Sequence, residues 1–498
     1  MSRERLSNID TLMLHVDNPA SPNMVTGLMV FGAPVPIDRL KEIIETRILR
    51  FDRFRQRLVA PRQPWRTPYW KDGSRVDLDY HVKQVTLPPP GDQAALQDLV
   101  SDLAVAPLDP ARPLWQVHLV EPCGHGCVLI CRVHHSLADG VALMHVVLSM
   151  TDGDGQDPAS APDQQSESAP QALAPVRVKT RRQAARKLAR RGLDTLIGFP
   201  GGPELLQVGV DAAADLSDIL LSPADTVTVL RGAPSVPKRV AWSDPIPLDE
   251  IKRIGRGMGG TVNDILLTAT AGALRDYLLA RGTSLDGASL RALVPVSLRP
   301  PGSEMELGNR IGVLFLPLPV EIADPAERLA ELKWRMDNHK GSFQAPIIYA
   351  AMQTVGRVPS GPLNLAVDYL CTKASVVVTN VRGPTERRTL AGAPLDEVMF
   401  WIPRYGGLGI AVTILSYAGQ VRVGVISDRD TIADPETVIA DFHDELDALL
   451  AQASAPKPPP FVPSLSSELD QALAALDEIL TDIANEREPA AAKPPISP

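Results

Sequence analysis

Hydrophobic and polar residues alternate with two different periods along this chain, which predicts a mixed α/β protein. Apolar residues recur every three or four positions over 94–105, 263–281 and 436–451, as they do on one face of a helix. Continuous or alternating apolar runs, such as 128–133 and 410–417, predict strands. The same patterns predict further helices at 38–47 and 248–254 and further strands at 76–82, 115–120, 291–295, 311–318, 374–379 and 421–427.

The patterned segments form two blocks, and 498 residues exceed the size at which one hydrophobic core usually keeps growing. We therefore expect an N-terminal domain at 1–150 and a C-terminal domain at 238–455. The intervening 151–237 begins with a stretch rich in Asp, Gly, Ser, Gln and Pro that predicts a disordered linker, and it continues as a basic helical connector. Residues 456–498 begin with prolines and continue with leucines at helical spacing, which predicts a linker and an amphipathic tail helix.

The net charge of −9 gives no general reason to bind nucleic acid, so we expect no nucleic-acid partner. Against this negative net charge, residues Arg177–Arg191 form a basic cluster without an acidic residue. Such a cluster fits an anionic lipid surface and equally fits a solvated helix face. The first residues lack a secretory pattern, and no run approaches the roughly 20 apolar residues that span a bilayer. We expect a cytoplasmic protein, with peripheral contact to a membrane or lipid inclusion through the basic cluster.

The segment His134-His135-Ser136-Leu137-Ala138-Asp139-Gly140 carries the clearest chemical signal. Two histidines stand at the end of a predicted strand, and Asp-Gly begins the apolar helix that follows. An imidazole fixed in this way can accept the proton of an alcohol that attacks a carbonyl, which typically contributes about 100- to 10,000-fold to the rate. Neighbouring residues of an extended segment face opposite sides, so we expect His135 to be this base and His134 to point into the fold.

Two other kinds of chemistry receive less support. Cys123, His125, Cys127 and Cys131 lie close together in sequence, but Cys127 and Cys131 repeat one face of a predicted strand and only Cys371 remains elsewhere. The second Cys-x₂₋₄-Cys pair that zinc sites normally have elsewhere is therefore missing, and we expect no metal. The sequence also has no Gly-x-Ser-x-Gly elbow for a serine nucleophile, which favours direct transfer.

The motif resembles the HHxxxDG signature of chloramphenicol acetyltransferases, carnitine acyltransferases, peptide-synthetase condensation domains and the bacterial wax ester synthase/diacylglycerol acyltransferase family. The likeness to the last family extends over most of residues 6–450. It departs from that family at Arg382, where proline is expected. The similar blocks are Leu6–Asp10, Phe54–Leu58, Pro113–Trp115, Thr261–Asp264, Val294–Arg299 and Gly308–Arg310.

The resemblance implies two chloramphenicol-acetyltransferase-like α/β domains with mixed sheets and an active-site channel between them. It also implies that His135 is the base, that Asp139 is structural and pairs with Arg299, and that Asn263 lies across the channel as a candidate oxyanion donor. The candidate catalytic residues are thus His135, His134, Asp139 and Asn263, with Gly140, Asp264 and Arg299 supporting the site.

The function implied is transfer of an acyl group from acyl-CoA, as a substrate, to a long-chain fatty alcohol or diacylglycerol. The products would be wax ester or triacylglycerol, and no cofactor is expected. Two alternatives stay open at this point. One is an acyltransferase of the same signature that acts on a polar or carrier-bound acceptor. The other is a catalytically idle lipid-surface protein of the same fold, which the intact motif disfavours.

Overall fold

The computed structural model describes residues 3–60, 67–73, 75–123, 126–153, 219, 221–300, 302–303, 306–339, 344–355 and 360–453. These residues belong to one compact unit. The basic cluster and the tail helix predicted from the sequence lie outside the described residues, as does the predicted linker from residue 154 onward.

Helices and strands alternate through the described residues. The helices are α1 (Asn8–His15), α2 (Ile37–Ile43), α3 (Leu78–His81), α4 (Gln93–Val105), α5 (Gly140–Leu148), α6 (Leu248–Met258), α7 (Val262–Leu279), α8 (Pro325–His339), α9 (Gln344–Val355), α10 (Ser360–Cys371) and α11 (Pro435–Ala453). A π-helical turn at Ile44–Ile48 continues α2, and a 3₁₀ turn covers Asp52–Phe54.

The strands follow the same chain order. They are β1 (Arg3–Arg5), β2 (Met24–Phe31), β3 (Gln56–Val59), β4 (Tyr69–Asp72), β5 (Val82–Val85), β6 (Trp115–Cys123), β7 (Gly126–His134), β8 (Asp152–Gly153), β9 (Lys238–Trp242), β10 (Ile246–Pro247), β11 (Arg291–Ser297), β12 (Ile311–Pro317), β13 (Val376–Arg382), β14 (Arg388–Leu390), β15 (Ala393–Trp401), β16 (Ile410–Tyr417) and β17 (Gln420–Asp428).

Two seven-stranded mixed sheets organise the molecule. The first sheet has the order β5-β6-β7-β2-β15-β14-β8. The second has the order β10-β17-β16-β13-β11-β12, with β9 pairing with β17. A small third sheet joins β1, β4 and β3. The mixed α/β fold with two sheet-rich domains that we expected from the sequence is therefore confirmed.

Side chains alternate between the two faces of each strand, so each sheet has two faces to cover. Helices cover the outer face of each of the two large sheets. One face of the first sheet packs against α2 and α5. Its other face shares a buried apolar layer with α4 and with residues of the second sheet, in which Trp242 of β9 meets Trp401 of β15 edge-on. The far face of the second sheet packs against α6, α7, α8 and α11. In the described part of the chain, no helix is long and apolar enough to cross a bilayer.

The predicted strand at 76–82 is wrong, and a side-chain cap explains the difference. Leu78–His81 forms one helical turn, and the strand begins only at Val82. The Asp77 carboxylate accepts a hydrogen bond from the Tyr80 backbone N–H (3.2 Å) and another from Arg112 (2.9 Å). Aspartate favours such local turns over a strand, because its side chain satisfies the backbone donors of a helix start.

Candidate active site

The His-His motif forms the tight connection between β7 and α5. The His135 backbone N–H donates to Asn23 O (2.9 Å), which fixes the loop beside the start of β2. Asp139 is the N-cap of α5, and its carboxylate accepts a hydrogen bond from the Ala142 backbone N–H (3.1 Å). Both histidines are buried, so the short loop holds two imidazoles in a site that excludes most water.

Asp139 is fully buried, and a guanidinium neutralises its charge. Nη2 and Nε of Arg299 donate to Asp139 Oδ2 at 2.7 and 2.9 Å. The pair that the resemblance implied is therefore present. Arg299 also donates to three backbone carbonyl oxygens in its own loop, those of Ser303, Glu306 and Gly308. Through these contacts, Arg299 holds the β11–β12 connection against the start of α5.

The β11–β12 connection lies directly on the motif. Gly308 N–H donates to Leu137 O (3.1 Å), and Arg310 N–H donates to Asp139 Oδ2 (3.0 Å). Gly308 has a φ of +102°, which residues with a side chain rarely adopt. This turn brings Asn309, which stands between them, to the catalytic histidine candidate.

Asn309 contacts His135 through both its carbonyl and its amide group. Its Oδ1 lies 3.0 Å from His135 Nδ1, and its Nδ2 donates to the His135 carbonyl oxygen (2.8 Å). The second hydrogen of Nδ2 is directed at Asp10 Oδ1 (2.8 Å), which also accepts from the Asn309 backbone N–H (3.1 Å). The orientation of the amide group is fixed, because both of its hydrogens have acceptors.

This orientation determines the tautomer of His135. Asn309 Oδ1 can only accept a hydrogen bond, so the ring proton must be on Nδ1 of His135. Nε2 then carries a lone pair, and within the described residues it has no hydrogen-bond partner. Burial lowers the pKa of His135, and the Asp139 carboxylate partly opposes this shift. The imidazole is therefore neutral around pH 7.

Asp10 is held in turn by Arg53. Nη1 of Arg53 donates to Asp10 Oδ2 (2.9 Å) and to the Leu137 carbonyl oxygen of the motif (3.1 Å). The Ser7 hydroxyl, the N-cap of α1, accepts from the Asp10 backbone N–H (3.0 Å) and so fixes the helix that presents this carboxylate. A chain of buried contacts thus runs from Arg53 through Asp10 and Asn309 to His135.

His134 has a different environment from His135. The Ser136 backbone N–H donates to His134 Nδ1 (3.1 Å), and the Ser136 hydroxyl lies 2.8 Å from the same atom. On the other side of the ring, Nε2 is 3.4 Å from Asp17 Oδ2. Both ring nitrogens therefore have protein partners, which suits a residue that shapes the loop.

Asn263 and Asp264 lie in the first turn of α7. Asp264 forms a capping box with Thr261: its carboxylate accepts from the Thr261 N–H (2.8 Å), and its own N–H donates to the Thr261 hydroxyl (3.2 Å). The Asn263 Oδ1 accepts from Asn380 Nδ2 (3.0 Å), which directs the Asn263 amide hydrogens elsewhere. The contacts of the described residues do not bring Asn263 to the motif.

Cys127 and Cys131 lie on one face of β7, in the apolar core of the first sheet. Burial raises the pKa of Cys131 to about 12, so its thiol stays protonated. Among the residues that the structure describes, no cluster of His, Cys, Asp or Glu has the arrangement of a metal site.

Asn309, Asp10 and Arg53 are the residues of this site whose roles sequence reasoning missed. Asp10 and Asn309 belong to blocks that carry the family resemblance, and Arg53 immediately precedes another, so a signal was present. What those blocks did not reveal is that Arg53 contacts Asp10, that Asp10 contacts Asn309, and that Asn309 contacts the His135 imidazole.

The chain is similar to known proteins over most of its length. Residues 6–266 match the model of the wax ester synthase/diacylglycerol acyltransferase catalytic domain, and residues 307–450 match the WS/DGAT C-terminal domain. The probable diacylglycerol O-acyltransferase tgs1 of Mycobacterium tuberculosis is 28% identical over 444 residues, which cover 86% of this chain and 91% of that protein. A putative diacylglycerol O-acyltransferase of the same species is 29% identical over 470 residues, 90% of each chain.

Solved structures show the same fold. The wax ester synthase/diacylglycerol acyltransferase from Marinobacter aquaeolei VT8 has a TM-score of 0.63 at 24% identity, covering 91% of this chain and all of that one. The first condensation domain of the calcium-dependent antibiotic synthetase has a TM-score of 0.58 at 14% identity, covering 91% and 97% of the two chains.

Fold and comparisons together define an acyltransferase with the two-sheet architecture of condensation domains. The protein belongs to the wax ester synthase/diacylglycerol acyltransferase family.

Proposed function

We propose that this enzyme transfers the acyl group of a long-chain acyl-CoA to a long-chain alcohol or diacylglycerol, with Nε2 of His135 as the general base. The proposed acceptors are supported by the names of two similar proteins, a probable diacylglycerol O-acyltransferase and a wax ester synthase/diacylglycerol acyltransferase. The observation that carries the mechanism is the contact between His135 Nδ1 and Asn309 Oδ1, because it leaves the lone pair on the opposite nitrogen.

In the proposed reaction, Nε2 takes the hydroxyl proton of the acceptor as its oxygen attacks the thioester carbonyl carbon. The tetrahedral intermediate then expels the coenzyme A thiolate, which receives the same proton from Nε2. An ester and free coenzyme A result, and no acyl-enzyme intermediate forms. The Asn309 side-chain oxygen stabilises the His135 ring while the ring is protonated and positively charged. This oxygen accepts a hydrogen bond from Nδ1–H in both the neutral and the protonated imidazole.

The remaining site residues have supporting roles in this proposal. His134, Asp139, Gly140 and Arg299 keep the motif loop in shape. Asn263 donates to the developing oxyanion, and Asp264 fixes the helix turn that presents it. The thioester already activates the carbonyl, so we propose that acyl-CoA is a substrate and that no cofactor takes part. We also propose that the basic cluster Arg177–Arg191, which contains no acidic residue, contacts an anionic membrane or lipid-inclusion surface.

An acceptor panel tests the substrate class. The purified protein is supplied with palmitoyl-CoA and, in separate reactions, hexadecanol, a 1,2-diacylglycerol or a polar acceptor such as chloramphenicol, and thiol release and the ester product are measured. We expect ester formation with the two lipid acceptors. Transfer to the polar acceptor alone would contradict the proposal, and so would the absence of transfer to any acceptor.

A further inference from the structure

The connection between α1 and β2 contacts both histidines of the motif. Asn23, the residue before β2, accepts the His135 backbone N–H at its carbonyl oxygen (2.9 Å). Asp17, near the start of the connection, places its Oδ2 3.4 Å from His134 Nε2. The other carboxylate oxygen of Asp17 accepts the Asn23 backbone N–H (2.7 Å). One carboxylate therefore joins the two points at which this connection meets the motif.

The contact with Asp17 matches the tautomer of His134. The Ser136 backbone N–H donates to His134 Nδ1 (3.1 Å), so this nitrogen carries the lone pair. The proton of the neutral ring is then on Nε2, the atom that faces Asp17. A carboxylate can face Nε2–H with one oxygen and the Asn23 N–H with the other. An amide at position 17 has a single acceptor oxygen and cannot serve both.

The side chain of Asn23 is fully buried and has partners at both its nitrogen and its oxygen. Nδ2 donates to the Met13 carbonyl oxygen of α1 (2.7 Å). Oδ1 accepts from the hydroxyl of Tyr405 (3.0 Å), which lies 382 positions away in the connection between β15 and β16. The residue that accepts the His135 N–H is therefore held by α1 and by the β15–β16 connection.

Two further contacts hold the α1–β2 connection from the same direction. Lys238 of β9 donates from Nζ to the Ala20 carbonyl oxygen (2.6 Å). The Ser21 hydroxyl donates to the carbonyl oxygen of Arg404, the neighbour of Tyr405. The segment beside the histidines is thus fixed by residues that lie more than 200 positions further along the chain.

We infer that Asp17 and Asn23 are positioning residues for His134 and His135, and that Tyr405 fixes Asn23 for this purpose. This inference rests on the proposed acyl transfer, in which His135 is the base. These residues act through the two histidines and not on the substrate. A base that is displaced by a fraction of an ångström transfers protons more slowly, so their loss should lower kcat and leave KM for acyl-CoA nearly unchanged.

The first test compares Tyr405→Phe with Tyr277→Phe. Each variant removes one tyrosine hydroxyl from a hydrogen bond, because the Tyr277 hydroxyl donates to Asp434 Oδ1 (2.9 Å) near the far end of α7. The control therefore has a similar structural loss without a contact to Asn23. Coenzyme A release from palmitoyl-CoA with hexadecanol gives kcat and KM. Hydrogen exchange of the backbone amides in protein with nitrogen-15-labelled histidine reports on the His135 N–H without turnover.

We expect kcat of Tyr405→Phe to fall about tenfold, with KM for palmitoyl-CoA within about twofold of the parent. The His135 amide should exchange faster in this variant, because the Asn23 carbonyl that accepts its hydrogen bond is less firmly held. Tyr277→Phe should keep the parent's kcat and His135 exchange rate. A parent-like kcat in Tyr405→Phe, or an equal fall in both variants, would overturn the inference.

The second test compares Asp17→Asn with Asp109→Asn. Asp109 is a matched control, since its side chain is 42% exposed against 39% for Asp17 and it also uses both oxygens. Its Oδ1 accepts the Ala111 N–H (2.9 Å), and its Oδ2 lies 3.6 Å from Arg112 Nε. We expect only Asp17→Asn to lower kcat, again about tenfold, and to shift the His134 Nε2 signal in nitrogen-15 spectra.

An Asp17→Asn enzyme with the parent's kcat and His134 signal would contradict the role of the carboxylate. A parent enzyme that releases no coenzyme A with any acceptor would instead overturn the proposed function. In that case the His135 amide exchange and the His134 signal would still decide whether Tyr405 and Asp17 hold the histidines.

Discussion

Asn309 donates its two amide hydrogens to the His135 carbonyl oxygen and to Asp10, so it offers the His135 ring only a carbonyl oxygen. The tautomer of the imidazole therefore follows from hydrogen bonds that do not involve a substrate. In the proposed mechanism Asn309 is therefore a positioning residue. Asp10 holds Asn309, and Arg53 in turn holds Asp10.

Replacing Asn309 by leucine tests this role. The variant removes the acceptor for Nδ1–H at similar side-chain volume, so the ring is free to carry its proton on Nε2, where it cannot act as a base. We expect kcat to fall roughly 100-fold, a share of what a general base contributes. Nitrogen-15 spectra of labelled histidine should show a protonated Nδ1 for His135 in the parent and its loss in Asn309→Leu.

The control for this variant is Asn338→Leu, which changes an exposed asparagine on α8. It should leave both kcat and the histidine spectrum as they are in the parent. An Asn309→Leu enzyme that keeps the parent's kcat and tautomer would contradict the positioning role.

With His135 as the proposed base, its burial predicts the pH dependence of the reaction. Burial lowers its pKa below the ordinary value of 6.5, so the neutral base persists to lower pH than a free imidazole would. The acidic limb of kcat/KM, measured with acyl-CoA from pH 4.5 to 8.5, should accordingly have its midpoint below 6.5. A midpoint above 6.5 would mean that a different group, or a more exposed histidine, controls the rate.

At the scale of elements, the site is a contact between two connections. The motif loop comes from the first sheet and the β11–β12 connection from the second, and the Asp139–Arg299 pair joins them. Both side chains of this pair are almost completely buried, at 1% and 3% exposed. Removing one partner of such a pair leaves an uncompensated charge in a site that water cannot reach.

Arg299→Ala should therefore destabilise the protein by about 3–5 kcal/mol. The exposed Arg39–Glu42 pair of α2 is the matched comparison, since its side chains are 52% and 60% exposed and such pairs contribute about 0–1 kcal/mol. Urea unfolding of both variants followed by circular dichroism measures the difference. If Arg299→Ala shifts the unfolding midpoint no more than Arg39→Ala does, the buried pair is not what holds the two connections together.

Many elements could be predicted from their periodicity, and others could not for identifiable reasons. Helices such as α4 and α11 and the strands β16 and β17 carry strong patterns and were predicted within a few residues. The β2 strand was not predicted, because Gly27 interrupts its apolar run. The strand predicted at 76–82 is wrong because the Asp77 side chain caps a helical turn at Leu78–His81, although apolar and polar residues alternate there.

At the scale of the whole molecule, chain order does not follow the sheets. Strands β14 and β15 come after most of the second sheet in sequence, yet they complete the first sheet beside β2. Periodicity shows where strands are but not which strands pair, so this crossing lay beyond the sequence patterns. For the same reason, the sequence identified the His135 motif but not its contact with Asn309, 174 positions away.

The central claim is that one imidazole drives acyl transfer, and replacing that imidazole tests it most directly. Coenzyme A release from palmitoyl-CoA in the presence of hexadecanol or diacylglycerol is measured for the parent, for His135→Ala, and for His443→Ala on α11 as the matched histidine control. We predict that the rate of coenzyme A release falls by about 100- to 10,000-fold in His135→Ala and stays at the parent value in His443→Ala. A His135→Ala enzyme as active as the parent would contradict the account.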